Sequence, residues 1–562
     1  MHHALEIPEL LGQIFEYLSA NDRKRCVPVC RLFSEIVLDQ LWEDVEHERV
    51  VDFARLFAPV KKVEDSYMFE SESLPTIESW TRFRSKYSKR IRCLHLDYDQ
   101  YPVSAVLKTI SVIRPSFPIL PNLHTLKIRC SPRYELMDDV EGFIHDGVQV
   151  LSISCFGAVY RMPRWPSCDV WRLHKLASLI QLRFPNLTSL EITIPWKEGL
   201  LEKLVTLLGT LPSLKCVSIP SFRNTSDILS TLSSSTDMRS LEFSSILGKP
   251  TSRVGNPWLK DRVSSLEHLK IHVAEYRTFF PLLPHLCHLR ALHLTIDGIT
   301  TDCKVLFDHI SQCLTLDTLS VHLHPHIAPA VKFDALANIC ACSNMVSFTF
   351  ESMLPIDMSD SDIAHVAQSW PRLQQLELGW SCLPSVLDDE FAESGESELE
   401  EEVFDSELRR KKTSLWAVFL LSHSCPNLSS LKLFINTKPD RTPSFDDASL
   451  PLEFQHSEAA NINEARFGFD FDLEAGDEIT IAQLLGQLLK PQCILMIDGF
   501  EDDIELEDLV GSEALDTSFD SGYEIIQNLR WKTALELFPH FSEPYWTIQE
   551  LKKQILALQS AR

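Results

Sequence analysis

The chain has 562 residues, 44% apolar and 23% charged, which is the balance of a folded protein. Its formal charge of −26 is concentrated, since Asp388 to Asp520 carries 32 acidic and 9 basic residues, a net of −23. No segment has the basic footprint that phosphate backbones or anionic lipid heads attract, and no apolar run nears the roughly 20 residues that span a bilayer, so neither nucleic acid nor membrane is expected as a partner.

The opening MHHALEIPELL carries no basic leader ahead of an apolar stretch. Pro8 suits a first helical turn, where a missing N–H costs nothing. Leu11, Ile14, Phe15 and Leu18 follow at three- and four-residue spacing and predict an amphipathic helix. Asn21 and Asp22 are expected to cap a second short helix. Phe33, Ile36, Val37 and Leu41 predict a third, ending at Trp42. A segment of about 40 residues is too small to bury all of this apolar surface by itself, so a partner is expected.

The motifs Ile7-Pro8-Glu9-Leu10-Leu11, Ile14-Phe15-Glu16-Tyr17-Leu18 and Val29-Cys30-Arg31 follow one another in this order, and Leu41-Trp42 closes the segment. In this they resemble the F-box, and the Leu-Trp ending is similar to fungal members. Arg23-Lys24 and Pro28 depart from the family pattern, which often has Leu-Leu and a helix former there. The resemblance implies a module over 1–45 that docks the Skp-type adaptor of a cullin ubiquitin ligase. It implies Ile7, Pro8, Leu10, Leu11, Ile14, Phe15, Leu18, Val29 and Cys30 as the adaptor-binding residues.

Residues 46–87 read as a linker with acidic polar content (EDSYMFESES, 64–73) and a docking helix carrying Trp80, Phe83 and Tyr87. From 88 to 435 a segment L-x-x-L-x-h, h being apolar, recurs, clearest in LPNLHTLKI (120–128), FPNLTSLEI (184–192) and CPNLSSLKL (425–433). From Ile192 to Leu378 its last apolar position advances in steps of 27, 24, 28, 23, 27, 29 and 28 residues, a leucine-rich-repeat period. The stretches between, such as 200–211, 304–314 and 361–370, have helical spacing. The expected fold class is α/β: a three-helix F-box followed by an irregular leucine-rich-repeat horseshoe, a solenoid of parallel strands and outer helices. This resembles the leucine-rich-repeat class of F-box proteins. A longer spacing between Ile153 and Ile192 predicts an insertion around 161–171.

Alternation in the strands sends Leu126 and Ile128 to the core and Lys127 and Arg129 to the open, concave face. Glu191, Glu242, Lys270, His272, His293, His322, Glu377, Lys432 and Phe434 are expected on that face too. Lys127, Arg129, Glu377, Lys432 and Phe434 are the candidates for binding a protein client, because an aromatic beside charged groups is a common hot-spot composition.

Residues 388–412 interrupt the array: 388–408 hold 11 acids and no base before Arg409-Arg410-Lys411-Lys412, so a disordered insertion is expected. Residues 436–562 are expected as an acidic segment with a capping region. There Phe467, Phe469 and Phe471 alternate as in an edge strand, 493–500 reads as another strand, and 545–559 reads as a terminal helix.

No phosphate loop, nucleophile elbow or HExxH occurs, and 17 glycines leave few cradles for cofactors. No catalytic residue, cofactor or metal site is expected. His322 and His324 lack a third ligand, as do Cys26 and Cys30. The fifteen cysteines form no CxxC pair and are expected as reduced apolar thiols of a cytoplasmic or nuclear protein. The function implied is substrate recognition within a Skp–cullin–F-box ubiquitin ligase, without intrinsic enzyme activity. The alternatives are an adaptor-binding scaffold and a repeat-type regulator, neither with a role in ubiquitination.

Overall fold

Three helices open the chain: α1 (Pro8–Glu16), α2 (Ala20–Cys26) and α3 (Arg31–Trp42). The computed structural model describes residues 6–63, 66–70, 72–98, 100–114, 118–130, 140–155, 170–194, 199–220, 222, 226–232, 237–244, 265–273, 283, 285–296, 303–323, 331–352, 356–380, 413–435, 462–469, 482–483, 485–486, 489–490, 492–497, 537–540 and 542. Extended backbone at Ile7 leads into Pro8, and the Leu11 N–H bonds the Ile7 carbonyl at 3.1 Å. Ser19 caps α2 in place of the expected Asn21 or Asp22. Its hydroxyl accepts from the Asp22 N–H at 3.2 Å and donates to the Asp22 carboxylate at 2.7 Å. Asn21 and Asp22 lie inside the first turn, where an acid still favours the positive helix end. Phe15 meets Phe33 edge-on at 5.1 Å, and the Gln40 amide donates to the Gly12 carbonyl at 2.7 Å, closing α1 onto α3.

The chain forms two compact units, Met1–Leu266 and Glu267–Arg562. In the first, α3 runs almost directly into β1 (Asp44–Val45). The stretch expected as a linker is folded: it holds α4 (Val50–Arg55), an antiparallel hairpin of β2 (Val60–Val63) and β3 (Ser66–Phe69), and α5 (Ile77–Lys86). Its aromatic residues explain why. Phe57 lies 4.8 Å from Trp80 and 4.3 Å from Phe83, Phe53 lies 6.0 Å from Phe83, and all four are buried. Tyr87, just past α5, meets Trp42 at 5.4 Å, and the Arg49 guanidinium sits 5.0 Å over the same indole. Arg90 donates to the Glu35 carbonyl at 2.9 Å and to the carboxylates of Glu35 and Asp39, tying α3 to this cluster.

The first unit continues through β4 (Cys93–Asp97), α6 (Ser104–Ile113), β5 (Thr125–Cys130), β6 (Val150–Cys155), α7 (Val170–Arg183) and β7 (Ser189–Thr193). It ends with α8 (Leu200–Gly209), β8 (Cys216–Pro220), α9 (Ser226–Leu232) and β9 (Ser240–Ser244). Its parallel strands lie in the order β1, then β4 through β9. The sheet therefore begins with the two residues that follow the helical module.

The second unit contains β10 (His268–Val273), β11 (Ala291–Ile296), α10 (Cys303–Ile310), β12 (Thr318–Leu323), α11 (Phe333–Leu336) and β13 (Ser347–Ser352). After these come α12 (Asp360–Ser369), β14 (Gln375–Trp380), α13 (Leu415–Ser424), β15 (Ser430–Ile435), β16 (Glu464–Phe469) and β17 (Ile494–Ile497). These eight described strands are parallel and paired in chain order. Both units are thus α/β solenoid-like runs in which strand, turn and, at most steps, helix repeat. No single repeat can bury its own faces, so each depends on its neighbours.

Three further expectations change. The array does not stop at residue 435, because β16 and β17 continue the same ladder. The alternating Phe467 and Phe469 belong to an interior strand, not an edge: β16 pairs with β15 on one side and β17 on the other, and Phe467 is buried. His272 is buried although it alternates with core positions; it stands at the far end of β10 beside Thr295 of β11. Of the insertion expected around 161–171, Val170 and Trp171 open α7 and the rest lies outside the described residues, as do the insertion at 388–412, the terminal helix at 545–559, Phe471 and His324.

Candidate functional site

Helix α1 carries two apolar stripes, and burial separates them. Leu11 (0% exposed) and Phe15 (2%) face the bundle core, while Ile7 (43%), Leu10 (40%), Ile14 (45%) and Tyr17 (91%) face solvent. The solvent stripe advances by three, four and three residues, which keeps it on one side of the helix. Val29, 62% exposed in the turn before α3, is a further uncovered apolar group of the module, and Pro8 is exposed as well. Leu11 and Phe15 are therefore corrected from contact residues to supports, since a partner cannot reach them in the folded bundle. Leu18 is half-buried. Cys30 is half-buried too, and its sulfur is engaged as the cap of α3, accepting from the Phe33 N–H at 3.5 Å. Tyr17 escaped the sequence reading, although its place three residues after Ile14 was the available signal.

The five expected client-binding residues fall into two groups. Lys127 and Arg129 stand exposed on β5 of the first unit, where the Arg129 guanidinium lies 3.7 Å from buried Asp97. Glu377, Lys432 and Phe434 stand on β14 and β15 of the second, with Glu377 and Lys432 in register. Glu377 accepts from the Gln375 amide at 2.6 Å. The Lys432 chain lies across Gly379, where an added Cβ would meet its Cε at 2.8 Å, and its ammonium stands 4.0 Å from Glu351. The glycine leaves the room that this long side chain fills. Lys432 is thus largely held within the face, and half-buried Phe434 is the apolar group beside it.

Glu351 also joins a chain of hydrogen bonds that sequence reading missed. It pairs with His322 Nδ1 at 2.7 Å, and Ser320 Oγ lies 2.7 Å from His322 Nε2. These three residues come from adjacent strands, with His322 opposite Glu351. Strand β12 is paired on both sides, so its N–H groups belong to the ladder and supply no oxyanion donor beside Ser320. The cluster is a hydrogen-bonded polar patch across β12 and β13. Among the described residues, no group of three His, Cys, Asp or Glu is arranged to hold a metal, and no helix is long and apolar enough to cross a membrane.

Residues 8–47 match the F-box-like family. The chain therefore carries an F-box-like module at its N-terminal end. The matched span covers all three helices and β1, so the F-box-like module reaches into the first strand of the sheet. No curated protein matches the chain. Among solved structures it is similar to a chain of the Toll–Spatzle complex of Drosophila, at 13% identity and a TM-score of 0.28, covering 73% of this chain and 51% of that one. The chain thus spans about half the length of that neighbour, and its fold is read from its own strand order and repeat spacing.

The patch makes a prediction about acid stability. His322 holds the Glu351 carboxyl below its ordinary 4.5, chiefly through their hydrogen bond, with Lys432 and Arg466 adding to the effect. A depressed carboxylate stabilises the fold fully above its unfolded value, and that contribution fades as pH falls through the folded value. Glu351→Gln is expected to flatten this part of the acid-side loss. Urea midpoints at about pH 7 and about pH 4 check it; equal slopes in wild type and variant would show that the pair does not act this way.

Proposed function

We propose that this F-box protein is a substrate-recognition subunit of a Skp–cullin–F-box ubiquitin ligase, acting in the cytoplasm or nucleus. The observation that carries the reading is the solvent-facing stripe of Ile7, Leu10, Ile14 and Tyr17 on a module that matches the family. Four apolar side chains on one helix face are a poor match for water and a good match for an apolar groove. The module docks the Skp-type adaptor, and the adaptor brings the cullin. The outward strand faces hold a protein client. Catalysis is then by proximity: tethering raises the local concentration of a client lysine at the ligase, and the chemistry belongs to partner subunits.

Co-expression with a tagged adaptor and cullin tests the core of the reading. Recovery of all three in one complex is the expected result; recovery of the adaptor without cullin would point to a scaffold outside ubiquitination. For the client, Phe434→Ala is expected to lower capture about fivefold or more, because truncating an aromatic hot-spot anchor costs upward of about 1 kcal/mol. Glu377→Lys reverses a charge in register with Lys432 and is expected to act in the same direction. Cross-linked client recovered per bound adaptor measures both, and unchanged recovery in both variants would move the client site elsewhere.

A further inference from the structure

Three cysteines have quiet structural positions. Cys313, Cys342 and Cys425 are buried and donate to the backbone carbonyls of Leu283, Cys313 and Trp370, at 3.6, 3.6 and 3.5 Å. Each stands six residues ahead of a core strand position (Leu319, Phe348 and Leu431), where other repeats place Leu120, Phe184 or Leu286. Burial pushes their thiols up to about 12, about 11 and about 12, so they remain protonated and unreactive.

Cys130 and Cys155 differ. They end β5 and β6 and are directly paired in the ladder, so both side chains leave the sheet on the same side, following core residues Ile128 and Ile153. Their sulfurs are 3.2 Å apart. In-register neighbours in a parallel sheet are separated by about 4.8 Å between backbones, within the roughly 4.4–6.8 Å that a disulfide bridges. Cys130 is fully buried and Cys155 half-buried, so the two offer different access to a small reagent. Neither is in a disulfide here.

We infer that Cys130 and Cys155 form a peroxide-reactive dithiol site, in which Cys155 is oxidised first and Cys130 resolves it into a cross-strand disulfide. The Cys155 thiolate attacks one oxygen of hydrogen peroxide. The O–O bond breaks, the departing hydroxide takes up the thiol proton as water, and a sulfenic acid remains. The Cys130 sulfur then attacks the sulfenic sulfur, the S–S bond forms, the S–O bond breaks, and a second water leaves with the second proton. Two thiols are oxidised to one disulfide while one peroxide is reduced to two waters. The bridge would tie together the strand ends that carry Arg129 and Ser154 on the opposite face.

The test uses the reduced full-length protein, treated with hydrogen peroxide, blocked with N-ethylmaleimide and digested without reductant. Peptide mapping is expected to recover a linked pair joining Cys130 to Cys155, lighter by two hydrogens than the separate thiol peptides and released by dithiothreitol. Cys313, Cys342 and Cys425 are expected to stay reduced and serve as internal references. In Cys130→Ser the oxidation stops at Cys155, where dimedone traps the sulfenic acid. Recovery of both cysteines as unlinked thiols from folded, peroxide-treated wild-type protein would overturn the inference. So would linkage of either to another cysteine. Because wild-type mapping decides the matter, a variant that fails to fold does not rescue the idea.

Discussion

Ile14→Asp combined with Tyr17→Asp is expected to weaken the proposed capture of a Skp-type adaptor strongly and to leave the helical module folded. Both side chains point to solvent, so an acid at either position costs the isolated protein little. In a complex each would remove an apolar contact of about 1.5–3 kcal/mol and set a charge against an apolar wall. With about 1.4 kcal/mol per tenfold, the double variant is expected to lose adaptor affinity at least about a hundredfold. Titration of purified adaptor measures this, and circular dichroism confirms the fold. Adaptor binding that survives both substitutions would remove the basis of the proposed function. Phe15→Asp would be a poor probe of the same surface, because Phe15 packs against Phe33 inside the bundle and its loss would unfold the helices.

Phe83→Ala is expected to cost about 3–5 kcal/mol, a large share of the roughly 5–15 kcal/mol that holds a typical domain. Its ring is 1% exposed and touches Phe57 at 4.3 Å, with Phe53 at 6.0 Å and Trp80 at 6.1 Å. The cluster is rigidly walled, so the vacated space cannot be refilled by small shifts of neighbours. Since Tyr87 and Arg90 connect the same segment to α3, the helical module is expected to lose stability along with the first strands. Guanidinium unfolding followed by tryptophan fluorescence should show an earlier midpoint, and adaptor binding should weaken at moderate denaturant where wild type still binds. A shift below about 1 kcal/mol would mean that residues 46–87 are dispensable packing after all.

Much of this architecture was legible in the chain alone, for a definite reason. A repeat of nearly constant length must place equivalent residues in equivalent surroundings, so the L-x-x-L-x-h segments mark β4 through β15. Helical spacing likewise marked α1, α8, α10 and α12. The tail defeated this reading: Phe467 and Phe469 alternate as an edge strand would, yet a partner strand at 494–497 covers the far side. Residues 46–87 misled because polar, acidic text surrounds the few aromatics that decide the packing.

The sequence by itself determined the helical module, its family motifs, the repeat period and, His272 on β10 apart, the inward positions of the strands named above, because these depend on spacing within a few residues. Only the tertiary structure decided which of the two stripes on α1 faces outward, since both have helical spacing and the choice depends on what α3 covers. It also decided that Lys432 folds across Gly379 to Glu351, that Ser320, His322 and Glu351 form one chain, and that Cys130 meets Cys155. Each of these joins residues far apart in the chain. Their meeting depends on strand register, which the accumulated packing of neighbouring repeats sets and no local pattern encodes.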